Sequence, residues 1–172
     1  MTAPLDTLYT LGHSRHPIGH FVDLARRHGI ATIADARGRP YSRFNPHFNR
    51  ERLKAALAAS GIDYAWLGDR LAGKPVPPAF QRADGSVDWA ALARSAPFLS
   101  GIDELAALAR LRPTAMVCAE ENPRQCHRRF LLTPPMEAAG FRVVHIRGDG
   151  RLEPEAELRA ADAPEALPLF AR

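Results

Sequence analysis

A chain of 172 residues with 46% hydrophobic content is long enough to bury one sizeable core and too apolar for a disordered polypeptide. Its two cysteines, Cys118 and Cys126, cannot build the disulfide framework of a small secreted domain, and in a reducing compartment both are expected as thiols. A net charge of +4 favours an anionic partner only in general terms, and with no run of eighteen apolar residues and no signal-peptide pattern the expectation is a soluble cytoplasmic protein.

In chain order, "TLYTLGH" is a short β-prone run ended by Gly12, and "IGHFVDLARRHG" places Ile18, Phe21, Val22, Leu24 and Ala25 at helical spacing before Gly29. The pair recurs. "IATIADARG" predicts a second strand, "NRERLKAALAASG" a helix with Asn49 as its cap and Gly61 at its end, and "IDYAWLGD" a third strand. Residues 68–86, rich in Gly and Pro, predict an irregular surface excursion of the kind that often carries function. "VDWAALARSAPFLSGIDELAALARL" predicts two helices broken between residues 97 and 101, with Ser100 or Asp103 as the second cap. "RPTAMVCAEE" is the fourth strand, residues 123–140 a helix interrupted by Pro134 and Pro135, and "FRVVHIRGDG" the fifth strand. Residues 151–172 read as a peripheral tail.

Strands alternating with helices predict a single α/β domain over residues 1–172: a three-layer sandwich around a mainly parallel, roughly five-stranded sheet, Rossmann-like in coarse form. In such sheets ligands bind where the loops after the strands converge. Those loops carry Gly12, His13 and Ser14; Asp35 and Arg37; Cys118 and Glu120; and His145 near the end of the fifth strand. His13 suits proton transfer or ligand contact, because imidazole titrates near neutrality. Ser14 is read either as a ligand contact or as a cap for the next helix. Asp35 can orient Arg37 or His13, hold a metal or a ribose, or cap its own loop.

The segment "CAEENPRQCHRR" predicts a helix start, with Asn122 as N-cap, Pro123 in the first turn and Gln125 returning a capping bond. Cys118 then lies between a strand end and a helix N-terminus, which favours an anion there, either a ligand group or its own thiolate. Cys118 to Arg124 spells the C-x5-R of a phosphate-cradling loop, but Glu120 and Glu121 would repel phosphate and no glycine lets the backbone close around it. Cys118, Cys126 and His127, joined by His13 or His145, could surround zinc, yet C-x7-C-H is not a standard ligand spacing, and no metal is assigned. Cys126 is expected to pack inward. His127 and Arg128 stand open between the cleft and, respectively, the core edge and solvent. Residues 37–54 hold six Lys or Arg against one acid, interleaved with Tyr41, Phe44 and Phe48; this mixture either offers phosphate contacts and stacking faces or is an ordered loop anchored by its Phe side chains.

Taken together, "TLGHS", "IADARGRPYSRFNPHFN", "YAWLGDRLAG", "CAEENPRQCHR" and "VVHI" resemble the successive motifs of domain-of-unknown-function family 488 (DUF488), over about residues 8–146. The resemblance implies a compact α/β domain of bacteria and archaea and supports the fold and the site more than any reaction. Ala36 departs from the Asp-Val-Arg more usual after the second strand, and the Pro134–Pro135 pair is unusual for a helix that normally continues.

The leading expectation is an enzyme, or an enzyme-like binder, of a small anionic or nucleotide-derived ligand. Cys118, His13, Asp35 and Glu120 are its candidate catalytic residues, and Gly12, Ser14, Arg37, Arg43, Asn45, His127 and Arg128 its candidate ligand contacts. The alternative is a non-catalytic nucleic-acid-binding module that uses residues 37–54. No membrane partner is expected, and the residues point to no particular cofactor or oligomeric state.

Overall fold

The computed structural model describes residues 6–163. In chain order these form β1 (Thr7–Gly12), α1 (Ile18–Arg27), β2 (Thr32–Asp35), α2 (Arg50–Ala58), β3 (Asp63–Trp66), α3 (Gly68–Leu71), α4 (Trp89–Ala93), α5 (Ala96–Leu111), β4 (Thr114–Cys118), α6 (Thr133–Ala138), β5 (Arg142–Ile146), β6 (Leu152–Pro154) and α7 (Glu155–Asp162). The strands make one sheet in the order β3-β2-β4-β1-β5-β6. The first five strands run parallel; β6 is antiparallel to β5.

The period-two alternation of a strand divides the core. Leu8, Ala34, Met116 and Val143 join one apolar cluster with Phe98, Ile102 and Leu105 of α5 and Met136 of α6. Their strand neighbours Ile33, Ala115 and Val117, with Leu11 and Ile146, join the other cluster, with Phe21 and Leu24 of α1 and Leu53 and Leu57 of α2. Each fully buried Leu or Phe contributes about 1.5–3 kcal/mol, so the alternation holds the register that aligns the strand ends. Gly12 pairs with Cys118, and Asp35 with Val117. The chain leaves β1 toward β2 and leaves β4 toward β5, so the loops after the adjacent strands β1 and β4 part there and open a crevice.

Four expectations are corrected. The sheet has six strands and not five. The sixth lies in the segment read as a peripheral tail, of which residues 152–162 form β6 and α7; the three-residue β6 ends in proline, so it carries no strand signature. Residues 164–172 of that tail lie outside the described residues. The helix break falls at Arg94 and Ser95: Asp88 caps α4 by accepting from the Ala91 N–H, Pro97 sits in the first turn of α5, and Gly101 lies inside α5 where Leu71 packs against it. Residues 123–140 do not form one helix. A 3-10 turn (Pro123–Gln125) precedes a wide π turn (Arg128–Leu132), and α6 follows. Neither Pro134 nor Pro135 has an N–H to donate back into the preceding turn, and the Thr133 N–H and Oγ1 both reach the Arg128 carbonyl instead. No helix of the described residues is long and apolar enough to cross a membrane.

Candidate functional site

A cleft of about 820 Å³ opens at the carboxyl ends of β1, β2 and β4. Its floor holds His13, Arg37, Cys118 and Glu120; its rim holds Arg39, Tyr41, Ser42 and Asn45 on one side, Gly73, Lys74 and Pro75 from the residue 68–86 excursion on another, and Trp89, His127 and Phe130 on the third.

Arg37 is the most firmly built of these groups. Its backbone N–H and Nε both donate to Asp35 Oδ1, at 3.0 and 2.9 Å, and Nη2 donates to Oδ2 at 2.7 Å. The Tyr64 hydroxyl donates to the same Oδ2 at 2.7 Å, and Trp66 Nε1 to the Arg37 carbonyl at 2.9 Å. Burial and the neighbouring Asp35 charge push the Tyr64 phenol well above its usual range, so it stays a donor. Of the roles open to Asp35, the geometry supplies the orienting one: it is fully buried, saturated by donors, and outside the cleft wall. Arg37 Nη1 keeps no partner among the described residues, on a side chain that lines the cleft.

His13 lies under Phe48, with ring centroids 4.4 Å apart. Its Nδ1 is 2.9 Å from the Ser14 carbonyl, which can only accept, so Nδ1 carries the proton and Nε2 the lone pair. Burial, helped by the Arg37 charge, pushes the imidazole down to about 4, so His13 is neutral at physiological pH and available as a proton acceptor.

Ser14 does not cap α1, whose N-cap position is Pro17. Its φ of 46° is left-handed, and its N–H donates to the Ala119 carbonyl at 2.8 Å, as the His13 N–H does to the Cys118 carbonyl at 3.0 Å. These bonds draw the loop after β4 across Gly12, where a Cβ would lie 1.8 Å from the Glu120 carbonyl oxygen. Gly12 is what permits this close backbone approach.

The far side of that loop is held by Arg128, whose side chain is 1% exposed. Its guanidinium donates to the Glu120 carbonyl, to the Glu121 carbonyl at 2.6 Å and to Thr10 Oγ1 at 3.2 Å. Thr10 Oγ1 is 2.8 Å from His145 Nδ1, and His145 Nε2 is 2.8 Å from Glu155. Because Glu155 accepts at Nε2, Nδ1 receives the Thr10 proton, and burial holds His145 below its usual range, in keeping with a neutral ring. His145, expected at the crevice, is therefore enclosed in a buried chain leading to α7. Arg128 is neither a solvated helix residue nor part of the cleft wall. It clamps the loop.

Within the loop the two glutamates face different ways. Glu121 accepts two bonds from Arg147 at 2.9 Å and one from the Gly148 N–H, and Arg147 holds its carboxyl down to about 2. Glu120 lines the cleft; burial opposes its charge, but the Cys118 thiol, the loop N–H and Cys126 more than offset that and keep its carboxyl below the usual range. Asn122 caps the 3-10 turn by accepting from the Arg124 N–H, while the Arg124 side chain pairs outward with Asp162 at 2.8 Å. The C-x5-R cradle does not assemble.

Both cysteines are free and buried, with Cys118 Sγ 3.2 Å from Glu120 Oε2 and 3.4 Å from His127 Nδ1, and Cys126 Sγ 3.9 Å from the same nitrogen. The thiols act as one acid–base unit. Contact with Cys126, burial and the Glu120 charge push Cys118 up, whereas the Cys118 S–H, aided by His127 and Arg128, draws Cys126 down against its own burial. This is the reverse of the depressed Cys118 expected from a helix start, because only a 3-10 turn follows and a carboxylate lies beside the sulfur. Cys126, as expected, is inward.

Of the residues singled out from sequence, the cleft brings together His13, Arg37, Asn45, Cys118, Glu120 and His127. Asp35, Gly12, Ser14 and Arg128 support it from behind. Arg43 lies outside the wall, its guanidinium 4.7 Å from the exposed Phe44 ring. Sequence reasoning missed Tyr64, Trp66 and Glu155, which act through partners distant in the chain, and Lys74, Trp89 and Phe130, which segments without strand-end motifs bring to the rim. A single signal was available, the functional bias of a long Gly- and Pro-rich loop.

No curated protein and no solved structure matched the chain. The family described as "Domain of unknown function DUF488" matches residues 17–133, from α1 through the loop after β4 and into the start of α6. With more than half of its length matched, and the cleft wall from Arg37 to Phe130 inside the match, the chain belongs to the DUF488 family.

Proposed function

We propose that the strand-end cleft binds a small anionic, nucleotide-derived molecule as an enzyme-like site, within one cytoplasmic α/β domain of Rossmann-like, three-layer build. The carrying observation is Arg37: its Nε and Nη2 each donate to Asp35, so its orientation is set in advance and Nη1 is left to an anion at the cleft. Arg39 and Lys74 add positive charge at the rim, against Glu120 as the acid of the wall, and Tyr41, Trp89 and Phe130 supply aromatic faces for a base. Neutral His13, with its lone pair on Nε2, is the proton acceptor, and Glu120 is a second base. The layered build is supported by helices packing on both core clusters.

Titrating nucleoside monophosphates and inorganic phosphate into the protein, with tryptophan fluorescence and calorimetry as readouts, tests this reading. Binding is expected for the nucleotides, weakened about tenfold or more, ~1.4 kcal/mol, in Arg37→Ala. Absence of binding at millimolar nucleotide, or equal binding by the variant, would refute it.

One observation favours the nucleic-acid alternative. Phe48 anchors the loop of residues 37–54, but Tyr41 and Phe44 are 64% and 77% exposed, and Arg43 lies over Phe44. On that reading single-stranded RNA or DNA binds with an affinity that falls steeply with salt and is lost in Phe44→Ala with Arg43→Ala. Salt-insensitive binding would rule it out.

A further inference from the structure

We propose that Cys118, Cys126 and His127 form a mononuclear zinc site with an open coordination position facing the cleft. One donor atom from each residue lies within 4.8 Å of the other two. The imidazole nitrogen Nδ1 is 3.4 Å from Cys118 Sγ and 3.9 Å from Cys126 Sγ. Tetrahedral zinc, with Zn–S of about 2.3 Å and Zn–N of about 2.05 Å, separates a sulfur and a nitrogen ligand by about 3.6 Å. The two distances bracket that value, so the sulfur–nitrogen pairs need shifts of only a few tenths of an ångström, and the sulfurs, within 4.8 Å of each other, need only draw together to the ~3.8 Å of tetrahedral zinc.

The fold explains how an unusual spacing closes. Cys118 ends β4, and Cys126 and His127 follow the Asn122-capped 3-10 turn; Arg128 holds the Glu120 and Glu121 carbonyls, which folds the intervening loop back on itself. The long insertion between the cysteines is thus a clamped hairpin of chain, and its ends meet. Among the described residues the two sulfurs are the imidazole's hydrogen-bond partners, both at Nδ1. The buried Nε2 has no partner among the described residues, so no hydrogen bond commits the ring proton to Nδ1, and its lone pair is free for a cation.

Donor chemistry selects the metal. Two thiolates and an imidazole suit zinc and exclude calcium and magnesium, which require oxygen ligands. Three protein donors leave a fourth position. Cys118 and His127 both line the cleft, so that position opens toward the proposed ligand space, with the Glu120 carboxylate at its edge. An open site of this kind polarises a bound oxygen, whereas a closed one only stabilises the fold.

The test needs no substrate and so separates this proposal from the ligand reading above. Reduced, chelator-treated protein is titrated with Co2+, then with Zn2+ in competition. One equivalent of cobalt is expected to give the intense visible bands of tetrahedral coordination together with thiolate charge transfer, and zinc to bleach them. Metal uptake should release the thiol protons into weak buffer. Cys126→Ser and His127→Ala should each weaken binding about a hundredfold or more. Added azide should shift the cobalt bands through the open position. If wild-type protein with both thiols titratable develops no tetrahedral bands, the proposal fails, whatever the variants do. Wild-type affinity in folded Cys126→Ser would overturn the ligand set, and bands indifferent to azide would overturn the open position.

Discussion

Replacing Arg128 with methionine separates its role as a loop clamp from a role in ligand contact. The side chain is almost wholly buried and supplies three donor contacts, to Thr10 Oγ1 and to the carbonyls of Glu120 and Glu121. Methionine fills much of the volume but donates to none of them. A hydrogen bond from a charged donor contributes ~1.5–3 kcal/mol, so complete loss of three would exceed ~4.5 kcal/mol. The two loop carbonyls are only part-buried and regain some water, which brings the expected loss to ~3–5 kcal/mol. At ~2–4 °C per kcal/mol for a chain of this length, the midpoint should fall by roughly 6–20 °C. Urea unfolding followed by circular dichroism gives the free energy, and thermal unfolding the midpoint. A loss below ~1 kcal/mol would show that the clamp does not hold the loop.

Gly12→Ala should destabilise by ~1–3 kcal/mol or more, because the new Cβ meets backbone of Glu120 and Glu121 on a loop pinned from both sides; an unchanged urea midpoint would contradict the close approach. Stability should decline as pH falls from about 6.5 to about 4: unfolded His13 takes up a proton below 6.5 while the folded ring does not until about 4, so the unfolded state binds more protons in that window, and buried His145 acts in the same direction. The His13 contribution approaches ~3 kcal/mol at the acid end, and His13→Asn should flatten the profile between pH 7 and 5; an identical slope in the variant would refute the assignment. Asp35→Asn should cost ~3–5 kcal/mol, since it leaves the Arg37 guanidinium buried without its counter-charge, and should weaken nucleotide binding as well; a stable variant with wild-type binding would argue against Asp35 as the orienting group.

The alternation of β-prone runs with helical spacing was enough to place the first five strands, α1 and α2, since those patterns arise from side-chain periodicity along the chain itself. Asn49 illustrates a half-legible residue. It does stand at the start of α2, but its side-chain oxygen accepts from the Ser42 N–H at 2.7 Å and ties down the cleft rim instead of capping the helix. Phe44 and Phe48 look equivalent in sequence, yet one is exposed and the other wholly buried and stacked on His13. Local spacing carries no information about which of two aromatic residues meets a partner from another strand.

What the sequence by itself determined is the parallel α/β core and the small set of loops that had to converge, because strand and helix periods and glycine stops are local properties. Only the tertiary structure decided which groups in those loops reach the cleft. It paired Asp35 with Arg37, turned Arg128 and His145 inward to a buried chain ending at Glu155, sent Arg124 outward to Asp162, and brought the donor atoms of Cys118, Cys126 and His127 within 4.8 Å of one another. The distant partners, Glu155 for His145 and Asp162 for Arg124, are the ones local spacing could not name, and the desolvation of a buried charge or donor makes such partners obligatory without saying in advance which they are.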